Sequence, residues 1–128
     1  MVTSDARNHL ADEGHPGGPI YFACFTRRGS TSLADIERAV PPHKQWVADQ
    51  EAAGRIVVAG PFLTRDSVWD GDGLIVFRLD SVEDAEHLAS QDPLHSQGLR
   101  TFEIVPWQFN EGHFRVDLTF SQGAFDFT

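Results

Sequence analysis

One histidine, His43, is the residue of this sequence best placed to transfer protons inside a folded domain. It follows Pro41 and Pro42, and proline suits the first turn of a helix because its missing N–H has no helical partner there. A helix that begins at Pro42 and turns by about 100° per residue puts His43 on an otherwise largely apolar face. A buried polar group must find a partner or bind a ligand, and an imidazole can accept and return protons near neutral pH. The residues predicted to share this inward face are His43, Trp46, Val47, Gln50 and Ala53.

Asp92 is the candidate carboxylate, and it stands directly before Pro93. Because proline disfavours the α region for the residue before it, we expect Asp92 to end a helix and to point its side chain away from the helix axis. Such a carboxylate either stabilises the helix end or orients a nearby imidazole for acid/base chemistry. His95 adds a third side chain that can bind a metal, but the spacing does not select for one, so no metal site is predicted.

A long segment, residues 60–73, is predicted to be a loop between two strands. It is longer than a tight hairpin needs and ends in Gly and Asp residues, and loops of this kind often cover pockets. Arg65 and Trp69 can therefore contact a ligand from this loop, the alternative being a solvated arginine and a packed tryptophan. The residues predicted to bind substrate are Trp46, Gln50, Arg65, Trp69 and His95.

The predicted elements follow the order β-α-β-β-α-β. Apolar runs of strand length alternate with segments whose apolar residues recur at helical spacing. This order indicates an α+β, ferredoxin-like fold, in which two helices lie on one face of a four-stranded antiparallel sheet. Strands are predicted over residues 20–26, 56–59, 74–79 and 101–109, and helices over 42–53 and 82–91, with a short helical turn through Ile36 and Val40 before the first helix.

The domain organisation follows from the same pattern. Residues 1–18 contain few large apolar side chains and are predicted to form a flexible N-terminal arm, whereas residues 19–109 form the ferredoxin-like domain. The first strand is apolar on both faces, so we expect a second copy of the chain to cover the open face of the sheet in a homodimer. Residues 110–128 form a C-terminal strand extension.

That extension alternates apolar and polar side chains between Phe114 and Phe120 with a period of two residues. Such alternation is typical of a strand with one buried face. The residues at 110–112 can turn the chain into a hairpin with the preceding strand. Alternatively, the strand reaches across to the second subunit.

The composition excludes several classes of partner. The 128 residues include 10 basic and 19 acidic residues, a formal net charge of −9, which disfavours nucleic acids and anionic membranes. No apolar stretch approaches the roughly 20 residues that span a bilayer, and no signal peptide is recognisable. The acidic surface leaves a small molecule or a protein as the expected partner. The lone cysteine, Cys24, is expected to be inert packing, and the absence of a second cysteine fits a reducing, cytoplasmic compartment.

Several short motifs resemble the YciI-like, or YCII-related, proteins of the dimeric α/β-barrel superfamily. They occur in the family's order and with compatible spacing over roughly residues 20–109. The motifs are Pro-Pro-His at 41–43, Gly-Arg-Ile-Val-Val-Ala-Gly-Pro at 54–61, Gly73, Ser81 through Ala85, Gln-Asp-Pro-Leu at 91–94 with Gly98-Leu99, and Val-Pro-Trp at 105–107.

The resemblance implies a role for the two candidates above. In that family a histidine at the position of His43 and an aspartate at the position of Asp92 are the candidate active-site pair, and no cofactor is generally required. Members resemble small enzymes that eliminate chloride from chlorinated hydroxyquinols, and relatives in the superfamily isomerise muconolactones. We therefore expect a cofactor-independent lyase or isomerase that acts on a small cyclic or aromatic-derived compound. The alternative is a non-catalytic ligand-binding or accessory homodimer in which the His–Asp pair is structural.

Overall fold

The fold is described from a computed structural model, which covers residues 17–122 and 124–127. Residues 1–16 of the predicted flexible arm therefore lie outside the described residues. A single turn of 3-10 helix, Phe120–Gln122, separates the last two strands. The strands are β1 (Ile20–Arg27), β2 (Ile56–Leu63), β3 (Trp69–Phe77), β4 (Thr101–Gln108), β5 (Val116–Thr119) and β6 (Ala124–Phe127), and the helices are α1 (Leu33–Ala52), α2 (Val82–Ser90) and α3 (Pro93–Ser96).

The first four strands form one antiparallel sheet with the order β2-β3-β1-β4. The central strand β1 pairs with β3 on one side and with β4 on the other. The connection order β1-α1-β2-β3-α2-β4 makes this the α+β, ferredoxin-like fold that the sequence predicts.

The main core lies between the sheet and the helices. Side chains alternate between the two faces of a strand, so every second residue of β1 points towards the helices. Phe22 and Cys24 on that side are fully buried, as are Ala85 and Ala89 of α2. A second, smaller cluster joins the N-terminal half of α1 to α3 through Ile36, Ala39 and Leu94.

Helix α1 is longer than the sequence predicts, because the short helical turn and the helix expected from Pro42 are one continuous helix. Pro41 and Pro42 lie inside it, although each removes a hydrogen-bond donor from the helix. The added N-terminal half is stabilised at its start by Ser32, whose hydroxyl accepts a hydrogen bond from the N–H of Asp35. It is also stabilised by the burial of Ile36 beneath α3.

The predicted loop over residues 60–73 is wrong, since β2 continues to Leu63 and β3 already begins at Trp69. The two strands are joined by a short turn in which the N–H of Thr64 donates to the carbonyl oxygen of Val68 at 2.8 Å. The Asp-rich part of this segment is stabilised within the strand by Arg28. Its side chain donates to both the carbonyl and the carboxylate of Asp70, and its N–H donates to Asp72. These long-range partners override the local turn preference of Asp and Gly.

The C-terminal extension contains two short strands rather than one. Strands β5 and β6 pair with each other in a separate two-stranded sheet and do not join the four-stranded sheet. The predicted hairpin with the preceding strand β4 is therefore wrong. Phe114 and Phe120 remain 81% and 90% exposed, so a contact with a second subunit stays a prediction.

The face of the sheet opposite the helices is largely apolar. It carries Phe25 of β1 stacked on Phe62 of β2, together with Val105 and Trp107 of β4. Trp107 is 46% exposed. In the part of the chain that the structure describes, no helix has the length and apolar character needed to cross a bilayer.

Candidate active site

His43 lies on the inward side of α1 and faces Asp92, as the two residues would in an acid/base pair. Its Nδ1 atom lies 2.9 Å from each of the two carboxylate oxygens of Asp92. The Asp92 side chain is fully buried, whereas that of His43 is 19% exposed. The imidazole therefore stands between a buried carboxylate and space that a small molecule can reach.

The position of Asp92 follows from the local sequence. Helix α2 ends at Ser90 with Gln91 as its C-cap, and the next residue, Asp92, is the N-cap of the short helix α3. Pro93 occupies the first turn of α3, where its missing N–H has no cost, and the Asp92 carboxylate accepts a hydrogen bond from the N–H of Leu94 at 2.9 Å. The sequence predicts the end of α2 correctly but not the helix that follows.

Arg100 is a third member of the site, and the sequence interpretation missed it. Its Nη2 atom lies 3.5 Å from the second carboxylate oxygen of Asp92, and Nη1 donates to the carbonyl oxygen of Gly71 at 3.4 Å. Its side chain is only 5% exposed. The signal that points to it is strand parity: Arg100 is two residues before Phe102, so it shares the inward face of that residue in β4.

The charges of this cluster act on one another through a poorly solvated interior. Burial raises the pKa of Asp92, but its hydrogen bond to His43, the charge of that histidine and the N–H of Leu94 together lower the pKa below its usual value of 3.8. The Asp92 carboxylate is therefore ionised at neutral pH. Burial lowers the pKa of Arg100, and the Asp92 charge opposes that effect.

A cavity of about 460 Å³ lies between α1 and one end of the sheet, and His43 forms part of its wall. The helix contributes Val40, Lys44 and Val47 to the lining, and α3 contributes Leu94. On the sheet side the cavity is lined, among others, by Thr26, Pro61, Trp69, Asp72, Gly73 and Arg100.

Thr26 is a second polar residue that the sequence interpretation missed. It is 1% exposed, and its hydroxyl oxygen has no hydrogen-bond partner among the described residues. It pairs with Gly73 across β1 and β3, and both residues line the cavity. Gly73 packs closely at this point, because a Cβ atom there would lie 3.0 Å from the carbonyl oxygen of Gly60 and 3.5 Å from the Thr26 hydroxyl.

Of the five residues predicted to bind substrate, only Trp69 lines the cavity. Gln50 instead accepts a hydrogen bond from the Nε atom of Arg55 at 2.7 Å, which ties the end of α1 to the start of β2. The ring of Trp46 packs edge-on against Phe77 in the core. Arg65 lies in the exposed turn between β2 and β3.

His95 is the fifth of those residues, and it packs beside the pair rather than in the cavity. Its Nδ1 atom donates to the carbonyl oxygen of Ala89 at 2.7 Å, and its ring centre lies 4.7 Å from that of Phe102. Burial lowers the pKa of His95, so its imidazole is neutral at pH 7. Over residues 17–122 and 124–127, the structure contains no group of three or more His, Cys, Asp or Glu side chains arranged to hold a metal ion.

Cys24 lies on the inward side of β1 and is fully buried. Burial and, to a smaller extent, the nearby charge of Asp92 raise the pKa of its thiol to about 12. The thiol is therefore protonated at neutral pH and is a poor nucleophile, in agreement with the predicted packing role.

The sequence family agrees with this architecture. The YCII-related domain family matches residues 20–108, which include every strand of the main sheet and all three helices. The chain belongs to this family. The predicted relationship is confirmed, and no curated protein sequence matches the chain.

A solved structure shares the fold of this YCII-related chain. It is 5-chloro-2-hydroxyhydroquinone dehydrochlorinase from Burkholderia phenoliruptrix AC1100, in complex with 2,5-dihydroxybenzoquinone. The two structures align with a TM-score of 0.51 over 72% of this chain and 95% of the dehydrochlorinase, at 15% sequence identity. At that identity the likeness shows the fold alone.

Proposed function

We propose that this protein is a small, cofactor-independent enzyme that uses His43 and Asp92 for acid/base elimination or isomerisation of a small cyclic or aromatic-derived compound. The observation that carries the proposal is the contact between His43 Nδ1 and the buried, ionised carboxylate of Asp92, at 2.9 Å, in the wall of a cavity. A perturbed carboxylate beside an imidazole in a cavity is typical of acid/base sites.

In the proposed mechanism each member of the pair has a role that fits the geometry. An ionised carboxylate can only accept hydrogen bonds, so the Nδ1 atom of His43 must carry a proton and donate the hydrogen bond to Asp92. The other ring nitrogen, Nε2, then has a free lone pair and can act as the general base. Asp92 fixes this tautomer and stabilises the imidazolium ion that forms after proton transfer.

One sequence of steps serves both reaction types. His43 takes a proton from the substrate, and the bonding electrons move into the conjugated ring system. In an isomerisation, the imidazolium returns the proton at a different atom. In an elimination, the same electrons expel a leaving group such as chloride. The structurally similar enzyme is a dehydrochlorinase, which supports elimination over isomerisation in this proposal.

The cavity restricts the size of the substrate. A volume of about 460 Å³ is within the range of roughly 300–1,000 Å³ typical of small-molecule sites and suits a compound with a single ring. Val40, Val47 and Trp69 supply apolar surface for a planar ring. This supports a cyclic substrate over a long or highly charged one.

We also propose that the protein is a homodimer. The open face of the sheet exposes Val58 and Trp107 at 57% and 46%, and monomeric proteins rarely expose a contiguous apolar face of this kind. A second copy of the same face would bury it symmetrically.

A second candidate function is a ligand-binding or accessory homodimer in which the pair is structural. The observation that favours it is the position of Asp92, which caps α3, contacts α1 through His43 and faces Arg100 at the start of β4. A buried carboxylate with these partners would hold the three elements together even in a protein without catalytic activity.

The experiment that separates the two candidates is a turnover screen of small lactones and halogenated phenolics with the wild type and His43→Gln. The exposed residue His87 supplies a matched control, His87→Gln. For an acid/base enzyme we expect His43→Gln to lose about 100-fold or more in turnover and His87→Gln to lose none. Turnover of a confirmed substrate by His43→Gln at the wild-type rate would contradict the proposal.

A further inference from the structure

We propose that Arg100 and Thr26 form an oxyanion subsite in the cavity, which binds the anionic oxygen of a planar phenolate or enolate. The subsite deepens the proposed function, because it assigns the position of the charge that forms when His43 removes a proton. Both side chains line the cavity, and neither uses all of its hydrogen-bonding capacity within the described structure.

Two buried donor atoms without partners, Nε of Arg100 and the hydroxyl oxygen of Thr26, support this assignment. Arg100 is 8% exposed, its two terminal nitrogens make only long contacts of 3.4 and 3.5 Å, and its Nε atom has no partner among the described residues. Thr26 is 1% exposed, and its hydroxyl is likewise unpartnered. Leaving buried polar groups unsatisfied is costly, so two of them in one cavity indicate a ligand that accepts hydrogen bonds.

Strand pairing places the two donors at the same end of the sheet. Thr26 pairs with Phe102 across β1 and β4, so their side chains lie on the same face. Arg100 is two residues before Phe102 and therefore shares that face. On the other side of Thr26 lies its strand partner Gly73, which also lines the cavity.

The charges that line the cavity favour a substrate that becomes anionic during the reaction. Before proton transfer, Arg100 is balanced by Asp92, and Asp72 of β3 is balanced by Arg27 at 3.6 Å. Proton transfer breaks a bond to hydrogen in the substrate, adds the proton to His43, and leaves the electron pair on a substrate oxygen. The new negative charge on the substrate is then paired with Arg100, and the new positive charge on His43 is paired with Asp92. The net charge of the cavity is unchanged. Donors positioned in advance at a developing oxyanion are an efficient form of catalysis.

A pair of aromatic probes tests the subsite without knowledge of the natural substrate. 4-Nitrophenol ionises near neutral pH to a coloured phenolate, whereas 4-nitroanisole has the same ring and a methyl ether that cannot ionise. At a pH above the ionisation of the phenol, we expect the wild type to bind the phenolate about tenfold or more tightly than the ether in a titration.

The variants Thr26→Val and Arg100→Gln remove the donors separately. Thr26→Val replaces an unpartnered hydroxyl by a methyl group of similar size, so we expect it to fold and to melt at an equal or higher temperature. It should bind the phenolate about three- to tenfold more weakly and leave binding of the ether unchanged. We expect Arg100→Gln to lose about tenfold or more, whereas Arg38→Gln, the same change at an exposed residue of α1, should lose none.

Three outcomes would overturn the subsite: equal affinity of the wild type for both probes, no binding of either probe at millimolar concentration, or an undiminished phenolate preference in both variants. His43→Gln separates this proposal from the proposed function. If the preference vanished in His43→Gln alone, the subsite would be wrong and the acid/base pair would stand. If His43→Gln kept turnover while Thr26→Val and Arg100→Gln lost the preference, the subsite would stand and the acid/base pair would be wrong.

Discussion

The Nδ1 atom of His43 lies at the same distance, 2.9 Å, from both carboxylate oxygens of Asp92. One of those oxygens also accepts the N–H of Leu94, and the other lies 3.5 Å from Arg100. The carboxylate therefore joins α1, α3 and the start of β4 at a single buried point. A catalytic and a structural role are compatible here, and substitutions at Asp92 must be designed to separate them.

Asparagine and alanine at position 92 provide that separation. Asn is a good N-cap and fills nearly the same volume, so Asp92→Asn should keep α3 but remove the charge that faces Arg100. We expect it to lower the free energy of unfolding by about 1–3 kcal/mol. Asp92→Ala also loses the cap and leaves Arg100 without an oxygen partner at this position, so we expect a loss of about 3–5 kcal/mol.

Urea denaturation monitored by tryptophan fluorescence measures both losses. Turnover should fall in both variants, because neither supplies a carboxylate to stabilise the imidazolium form of His43. An Asp92→Ala variant that unfolds at the wild-type urea concentration would contradict the central structural role of this carboxylate.

The sequence singles out His43 and Asp92 separately, because each stands at a recognisable local signal, a proline-preceded helical segment and a helix end before Pro93. That they act as a pair is what the resemblance to the YCII-related family implies. Thr26 has no such signal, and strand parity indicates only the face on which Arg100 lies, since the importance of both residues depends on which strands are neighbours. Strand order is a property of the whole chain, and only the pairing of β1 with β3 and β4 brings Thr26 to Gly73 and to the inward face that Arg100 shares.

Side-chain partners elsewhere in the chain explain why Gln50 does not line the cavity and why Trp69 reaches it from an unexpected element. Gln50 does face inward as predicted, but Arg55, only five residues later, satisfies its side chain. Trp69 reaches the cavity from a strand rather than from a loop, because Arg28 organises the Asp-rich segment of β3. The fold order is predictable from apolar periodicity, whereas such side-chain partners are not.

The acid stability of the protein should depend on Asp92. Its pKa is lower in the folded state than its usual value of 3.8, so the ionised carboxylate stabilises the folded protein above that pH. As the pH falls below 3.8 towards the folded-state pKa, protonation removes this contribution. Urea denaturation between pH 5 and pH 2 should therefore show a steeper loss of stability for the wild type than for Asp92→Asn. Parallel curves for the two proteins would show that other carboxylates determine the loss of stability at low pH.

His95 should produce a second, separate dependence at higher pH. Burial lowers its pKa from the usual 6.5, so protonation favours the unfolded chain. The contribution of neutral His95 is complete above pH 6.5 and decreases as the pH falls below that value towards the folded-state pKa. His95→Gln retains a donor for the Ala89 carbonyl and should flatten the stability profile between pH 7 and pH 5. The exposed His87→Gln variant is the control, and an equal flattening there would contradict the assignment to His95.

The proposed dimer predicts a change in mass when the open sheet face becomes charged. Trp107→Glu places a carboxylate on an apolar surface formed with Val105 and Ala23, and burying it without a partner would be costly. We expect light scattering after size exclusion to give the mass of two chains for the wild type and of one chain for Trp107→Glu. Val68→Glu makes the same change at a 58% exposed residue in the turn between β2 and β3, away from that face, and should remain dimeric. A wild-type mass of one chain at micromolar concentration would reject the dimer, and the apolar face would then have to be covered by a different partner.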